Sequence, residues 1–295
     1  MDRPPELARR FFHRFEPVHA VTYFAPEARA ALDGLGYSGF WMGYFAARSA
    51  PLGKVPAEVV TATFYNFAPQ RVAKALSGAW AVAGPEQALK ARAESSVAAL
   101  RRYGVDDSAG VRTAADLTGR AAKHATVDGR PLFAANRALP WPDEPVASLW
   151  HAATLLREHR GDAHISVLSA EGVSGRESNV LQVAAGKVPR EYMMRARDYD
   201  EESWREHESA LSARGLLDAD GTLTAAGVEL KNHVEAVTDR LALSVLDALD
   251  DDEAETLFQA LTPITRCVIA GGDIPTMTPM GLSRDDLDDD SAQMN

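Results

Sequence analysis

Trp41, Tyr44 and Arg48 stand three and four residues apart in the stretch GFWMGYFAARSAPLG (39–53), which also holds Phe40 and Phe45 and stops at Pro51 and Gly53. At helical spacing these three side chains share one face. Upstream, Glu16, His19 and Tyr23 share another, and downstream TATFYNFAP adds Phe64, Tyr65, Asn66 and Phe67. Thirteen of the 22 aromatic residues fall between Phe11 and Phe67. A plain aromatic core is one reading of that stripe. Ordinary cores, however, are built from Leu, Ile and Val, whereas here Tyr and Trp recur beside imidazole, guanidinium and amide groups. Such polar groups need partners when buried, and a pocket holding water or a ligand supplies them. An apolar cleft with a few convergent polar groups is the usual form of a small-molecule site. Trp41, Tyr44, Arg48, Phe64 and Asn66 are therefore the expected ligand wall. Arg48 is expected to face the rings of Trp41, Tyr44 and Tyr65, placed for an anionic or carbonyl-bearing group. If the pocket catalyses a reaction, His19, Tyr23 and Tyr65 are the proton-transfer candidates, with Arg48 as electrostatic stabiliser.

Other chemical signatures are incomplete. Glu16-x-x-His19 is half of a di-iron motif, but Ser148 stands where the second motif would need a carboxylate before His151. His159, Asp162 and His164 in LREHRGDAH read as a helix end and turn. The chain has no P-loop, no G-x-S-x-G and no G-x-G-x-x-G, and IAGGDIP lacks a following helix. Neither a metal nor a cofactor is expected.

The elements that must position these residues are mainly helical. Ala, Leu, Arg and Glu dominate, and PEQALKARAESSVAALRRYG is a helix opened by Pro85 and closed by Gly104. Further helices are expected near 6–16, 18–32, 39–48, 56–66, 69–77, 113–125, 146–159, 163–171, 177–185, 189–197, 201–214, 224–249 and 252–261. LPWPDEP (139–145) is an extended connector, because its prolines remove backbone donors. The expected organisation is an N-terminal helical module over 1–104 and a connector over 105–145. A second module follows over 146–250, then a C-terminal helix and acidic tail over 251–295. An internal repeat supports two modules: GKVPAE (53–58) and GKVPRE (186–191) lie 133 residues apart, and VHA and WHA lie 132 apart.

The second copy ends in a helix to Gly215, a short apolar strand at Leu216 and Leu217, the turn DADG, a return at Leu223, and a long helix capped by Thr224. ALSARGLLDADGTLTAAGVEL resembles the wing region of MarR-type regulators, a resemblance that covers roughly residues 146–245 and implies a winged helix-turn-helix. The whole chain, with EPVHAVTYFAPEARAAL, FWMGYFAARSAPLG, LPWPDEP and LWHAATLLREHRGDAH, resembles a widespread family of actinobacterial proteins. That resemblance implies a fold and no chemistry. The expected architecture is mainly α, with tandem winged-helix-like modules from an internal duplication and small β-hairpin wings.

Charge bears on whether such a fold reads DNA. The net charge is −11, and the segment from Asp247 onward supplies −10 of it, so the body is nearly neutral. The last ten or so residues read as a solvated, disordered end. The helix placed to read DNA, Asp200–Arg214, carries five acids against two arginines, and the hairpin tip has Asp218 and Asp220. Such a helix is repelled by phosphates where a binder would release counterions, so specific binding to duplex DNA is not expected. The helix near 85–103 is more basic, with Arg101 and Arg102 at its C-terminal end, as the helix dipole favours. One cysteine, Cys267, excludes an intramolecular disulfide, and no run approaches the length of a membrane span. The expected setting is cytoplasmic. The sequence thus points to a protein that binds a small organic molecule on winged-helix-like modules that no longer bind DNA. An enzyme of specialised metabolism using the same pocket and a DNA-binding regulator are the alternatives.

Overall fold

The computed structural model describes residues 3–278 and 284–293. Its first half holds α1 (Glu6–Phe24), α2 (Pro26–Gly34), α3 (Gly39–Ser49), α4 (Ala57–Phe64), α5 (Pro69–Leu76), α6 (Ala79–Val82) and α7 (Pro85–Arg102). Two helices, α8 (Ala109–His124) and α9 (Pro131–Arg137), lead to the long α10 (Pro145–Ala170). The rest comprises α11 (Gly175–Ala184), α12 (Arg190–Arg197), α13 (Glu201–Ala213), α14 (Ala225–Leu243) and α15 (Asp251–Ala270).

The fold is all-α, and the expected β-hairpin wings are not there. After α13 the described chain has a single antiparallel bridge, Leu217 to Leu223, and no strand. Asp218 explains this. Its carboxylate accepts from the backbone N–H groups of Asp220 and Thr222, which closes the turn at once. Thr224 then caps α14, its hydroxyl accepting from the N–H of Gly227 at 3.1 Å, so only Leu223 remains to pair. At the corresponding place in the first half, the Ala-rich run between Gly78 and Gly84 forms the short helix α6 instead. Tandem winged-helix modules are thus not the architecture of this chain.

Two helices sit at the centre and position everything else. Buried residues occupy all faces of α1, and α1 continues through Pro17 where a break was expected. It ends instead at Ala25, whose extended backbone precedes Pro26, a residue that starts α2 without needing an N–H donor. In the same way α10 runs unbroken through Gly161, where a turn was expected. Its start is fixed by the Glu144 carboxylate, which accepts from the N–H groups of Val146 and Ala147. The largest core cluster joins α1, α7, α8, α10 and α15 through residues such as Phe11, Leu100, Leu149, Leu155 and Phe258. A second cluster lies around Phe45, Phe64 and Phe67, and a third around Met193, Trp204 and Leu211.

The GKVP phrases fall at like places. Gly53 and Gly186 both have left-handed backbones, with φ of 75° and 68°. Each precedes an eight-residue helix, α4 or α12, with Pro56 or Pro189 at its N-cap. Both helices end on a non-glycine residue of positive φ, Tyr65 and Asp198.

The acidic C-terminal end is held rather than solvated over its described part, residues 284–293. Asp286 accepts from Arg10 at 2.9 Å and from Arg14 at 2.7 Å, and Leu287 is buried. Arg14 is a fully buried guanidinium on α1, and the tail carboxylate is its counter-charge. Residues 279–283 and 294–295 of the expected tail lie outside the described set. No helix among the described residues is long and apolar enough to cross a membrane.

Candidate functional site

A cavity of about 560 Å³ opens between the two halves, lined from α1, α3, α4, α10, α11, α12 and α14. Trp41, Tyr44, Arg48, Phe64, Tyr65, Asn66 and Tyr23 all line it. His19 does not. It is fully buried behind Tyr23, with Nε2 at 2.9 Å from the Tyr23 hydroxyl and Nδ1 at 2.9 Å from Thr154 Oγ1.

The aromatic wall forms because α3 presents one face inward. Tyr44 lies 5.4 Å from Tyr23, 5.7 Å from Trp41 and 5.6 Å from Phe67, ring centre to ring centre. Arg48, one turn on from Tyr44, lies with its guanidinium carbon 4.1 Å from the Phe64 ring centre and donates to the Tyr44 hydroxyl at 3.2 Å. A position over a ring face suits a guanidinium more than an ammonium. Phe40 stands partly in solvent at 45 % exposure, so the wall reaches the surface.

Sequence reasoning missed the charges behind this wall. Arg48 faces Glu158 at 3.5 Å, Glu158 accepts from Arg157 at 2.7 Å, and Arg157 lies 3.6 Å from Glu16. The row Glu16, Arg157, Glu158, Arg48 therefore alternates in sign. Burial opposes the Glu158 charge, but Arg157 and Arg48 outweigh it and bring its carboxyl down to about 2. Burial dominates at Glu16 and raises it to about 7, and neither of its oxygens has a hydrogen-bond partner. Arg197, at the end of α12, lies 4.2 Å over the Phe67 ring. Glu158 and Arg157 belong to α10, where the sequence showed only a run of mixed polarity. The one available signal was a helix with charged and apolar residues on every face, which marks a buried helix that carries paired charges.

The two halves meet at Tyr65. Its φ of 55° and ψ of −60°, with Asn66 N–H donating to Phe64 C=O at 2.7 Å, make a γ-turn of the rare, strained kind. The surroundings hold it there. The Tyr65 hydroxyl donates to the Val173 carbonyl, and Asn179 donates to the Asn66 carbonyl at 2.9 Å. Tyr65 and His19 thus face different partners, and no relay joins them.

Protonation of this interior is linked to stability. Burial lowers His19 well below its usual range, His151 and His164 to about 4, and His159 to about 3. These side chains are neutral when folded and take up protons on unfolding once the pH is below 6.5. Glu16 and Asp162 oppose this, because burial raises both to about 7 and the folded chain keeps protons that unfolded carboxylates release. Near pH 5.5 four histidine protons against two carboxyl protons leave the unfolded chain with about two more. Stability should therefore rise by roughly 2–3 kcal/mol per pH unit between about pH 4.5 and 5.5, and less steeply toward pH 6.5, where the unfolded histidines lose their protons. Urea midpoints at pH 5 and pH 6.5 measure this, and equal midpoints would contradict it.

The helix that follows α12 is the one a helix-turn-helix protein would offer to DNA. Its exposed residues are Glu201, Glu202, Arg205, Glu206, Ser209, Ala210, Ser212 and Ala213, with three acids against one cation. Three of the four basic residues of α7 are buried or paired across the fold, and Lys90 is exposed, 3.9 Å from Glu94. Arg92 is buried, Arg101 pairs with Glu144 at 3.4 Å, and Arg102 pairs with Glu27 and Asp273. Among the described residues no three His, Cys, Asp or Glu side chains are grouped to hold a metal ion.

In comparisons with known proteins, the sequence profile of a helix-turn-helix family matches residues 8–275. No curated protein and no solved structure matches the chain.

Proposed function

The chain belongs to that helix-turn-helix family, and from this premise we propose that it binds a small organic molecule in the cavity between its halves and does not read DNA. The observation that carries the reading is the cavity itself. Ten aromatic side chains line it among the described residues, with Arg48 stacked inside. Its volume falls in the usual range for ligand sites, roughly 300–1,000 Å³. Trp41, Tyr44, Phe64 and Asn66 form the wall against which a planar molecule would lie, as aromatic pairs favour.

Family membership favours a second reading, a DNA-binding regulator. Against it stand the acidic outer face of α13 and the pairing of Arg101 and Arg102 with acids, since phosphate contacts need unengaged cations. Catalysis has less support, because the Tyr65 hydroxyl is committed to a backbone carbonyl and His19 lies behind Tyr23.

The test is a fluorescence titration with N-phenyl-1-naphthylamine, a neutral aromatic probe. One saturable site per chain is expected, with Tyr44→Ala weakening it about tenfold through lost ring contact. No saturable binding would refute the pocket reading. Anisotropy with random and promoter-derived duplexes across a salt series tests the other half. Weak binding is expected, strengthened in the pair Glu201→Lys with Glu202→Lys. Nanomolar binding by the parent, lost steeply with salt, would put the regulator first.

A further inference from the structure

The cavity differs in charge from the chain that contains it. The protein as a whole carries −11, yet among the described residues seven Lys or Arg side chains line the cavity against four Asp or Glu. Most of these cations are already answered. Arg48 and Arg157 share Glu158 and Glu16, and Arg160 pairs with Glu235 at 3.2 Å and Asp239 at 2.8 Å.

Lys187, Lys231 and Arg197 are the exceptions: Lys187 is exposed, and Lys231 donates to the Gln182 side chain at 2.7 Å. Half-buried at the cavity wall, Arg197 pairs with no acid among the described residues. Its Nε has no hydrogen-bond partner, and its nearest acceptor is the neighbouring Ala196 carbonyl at 3.4 Å. Its guanidinium carbon lies 4.2 Å from the centre of the Phe67 ring, which lies against both Trp41 and Tyr44. The ring answers none of its N–H donors, and the Nε donor is left for an acceptor. Burying a guanidinium without a counter-charge is costly, and the cost is offset when an incoming anion supplies that charge. A further buried cation without an acidic partner, Arg92, stands on α7 behind the wall, with Nε and Nη2 unpartnered. It adds to the same positive field.

We infer that the ligand is an aromatic acid, with rings against Trp41, Tyr44 and Phe64 and its carboxylate or other oxyanion on Arg197, while Arg48 serves the wall and not the anion. A bidentate bond from a guanidinium to an oxyanion gives both energy and orientation. Arg197 is in this account the residue that selects acids over neutral molecules. The inference rests on the pocket reading above, and its test separates the two.

The probes are 8-anilino-1-naphthalenesulfonate and N-phenyl-1-naphthylamine, which share one ring system and differ by a sulfonate. The parent chain should bind the sulfonate about ten- to a hundred-fold more tightly, as one charge-assisted contact provides. Arg197→Gln should abolish that preference, read as the ratio of the two Kd values, while the neutral probe still binds saturably. Arg197→Lys should restore part of it. Lys187→Gln, at an exposed cation of the same cavity, should change the preference by less than about threefold. Thermal melts of each variant show that the fold is intact, and saturable binding of the neutral probe is a second check. Equal affinity for the two probes, or a preference that survives in Arg197→Gln, would overturn the inference and leave the pocket reading standing. Failure of both probes to bind would overturn both.

Discussion

Replacing Glu158 with Leu should destabilise the protein by about 3–5 kcal/mol, the usual cost of removing one partner from a buried ion pair. Glu158 is 1 % exposed and stands between two guanidinia, Arg157 at 2.7 Å and Arg48 at 3.5 Å. Without it, both cations keep their burial and lose their counter-charge, and Glu16 is the remaining acid in the row. For a chain of this size the loss corresponds to a fall in Tm of roughly 5–8 °C. Arg48→Leu alone should cost less, because Glu158 keeps Arg157. The double variant should cost less than the sum of the two singles, because removing Arg48 takes away one of the cations that Glu158 answers. Thermal and urea unfolding of the three variants measure this. A loss below about 1 kcal/mol for Glu158→Leu would show that the row is solvated and that the cavity interior is not the low-dielectric site described.

The second large effect comes from a methyl group. A Cβ on Gly175 would lie 1.9 Å from the Tyr65 carbonyl oxygen and 2.5 Å from its carbon. Both are backbone atoms of the γ-turn and cannot swing aside as a side-chain tip would. Gly175→Ala must therefore push α11 away from the Tyr65–Asn66 turn, at a cost of about 2–4 kcal/mol. The same shift moves one wall of the cavity, so affinity for N-phenyl-1-naphthylamine should fall along with stability. Gly43→Ala is the control, since its Cβ would meet only the Leu32 side chain, at 3.1 Å, and it should cost less. Equal melting temperatures for Gly175→Ala and the parent would show that the two halves do not meet as closely as described.

How much of this was legible in the sequence depended on whether the governing interaction was local. The eight-residue helices α4 and α12 were readable, because each is framed by a GKVP turn and a proline N-cap. So was the aromatic face of α3, which is a matter of spacing alone. The wings were not readable. LLDADGTLT carries the signals of a hairpin, but Asp218 closes the turn and Thr224 starts a helix before a second pair can form. Gly161 reads as a helix end, yet α10 passes through it, since burial on all sides outweighs the roughly 1 kcal/mol that glycine costs in a helix. The charged row was out of reach for a different reason. Glu16, Arg48 and Glu158 are far apart in the chain, and nothing in their own neighbourhoods marks them as partners. Glu16 drew notice for its spacing to His19, whereas its place beside Arg157 follows from the packing of α1 on α10. Arg197 was equally hidden, because an unanswered cation is recognised only when every nearby carboxylate has been assigned.

The most direct test of the central claim is the position of N-phenyl-1-naphthylamine in a crystal of its complex with the parent chain. The account predicts one molecule between the halves, its rings against Trp41, Tyr44 and Phe64 and within contact of Phe67. A probe bound only at the outer surface, with Arg48 and the aromatic wall untouched, would contradict it.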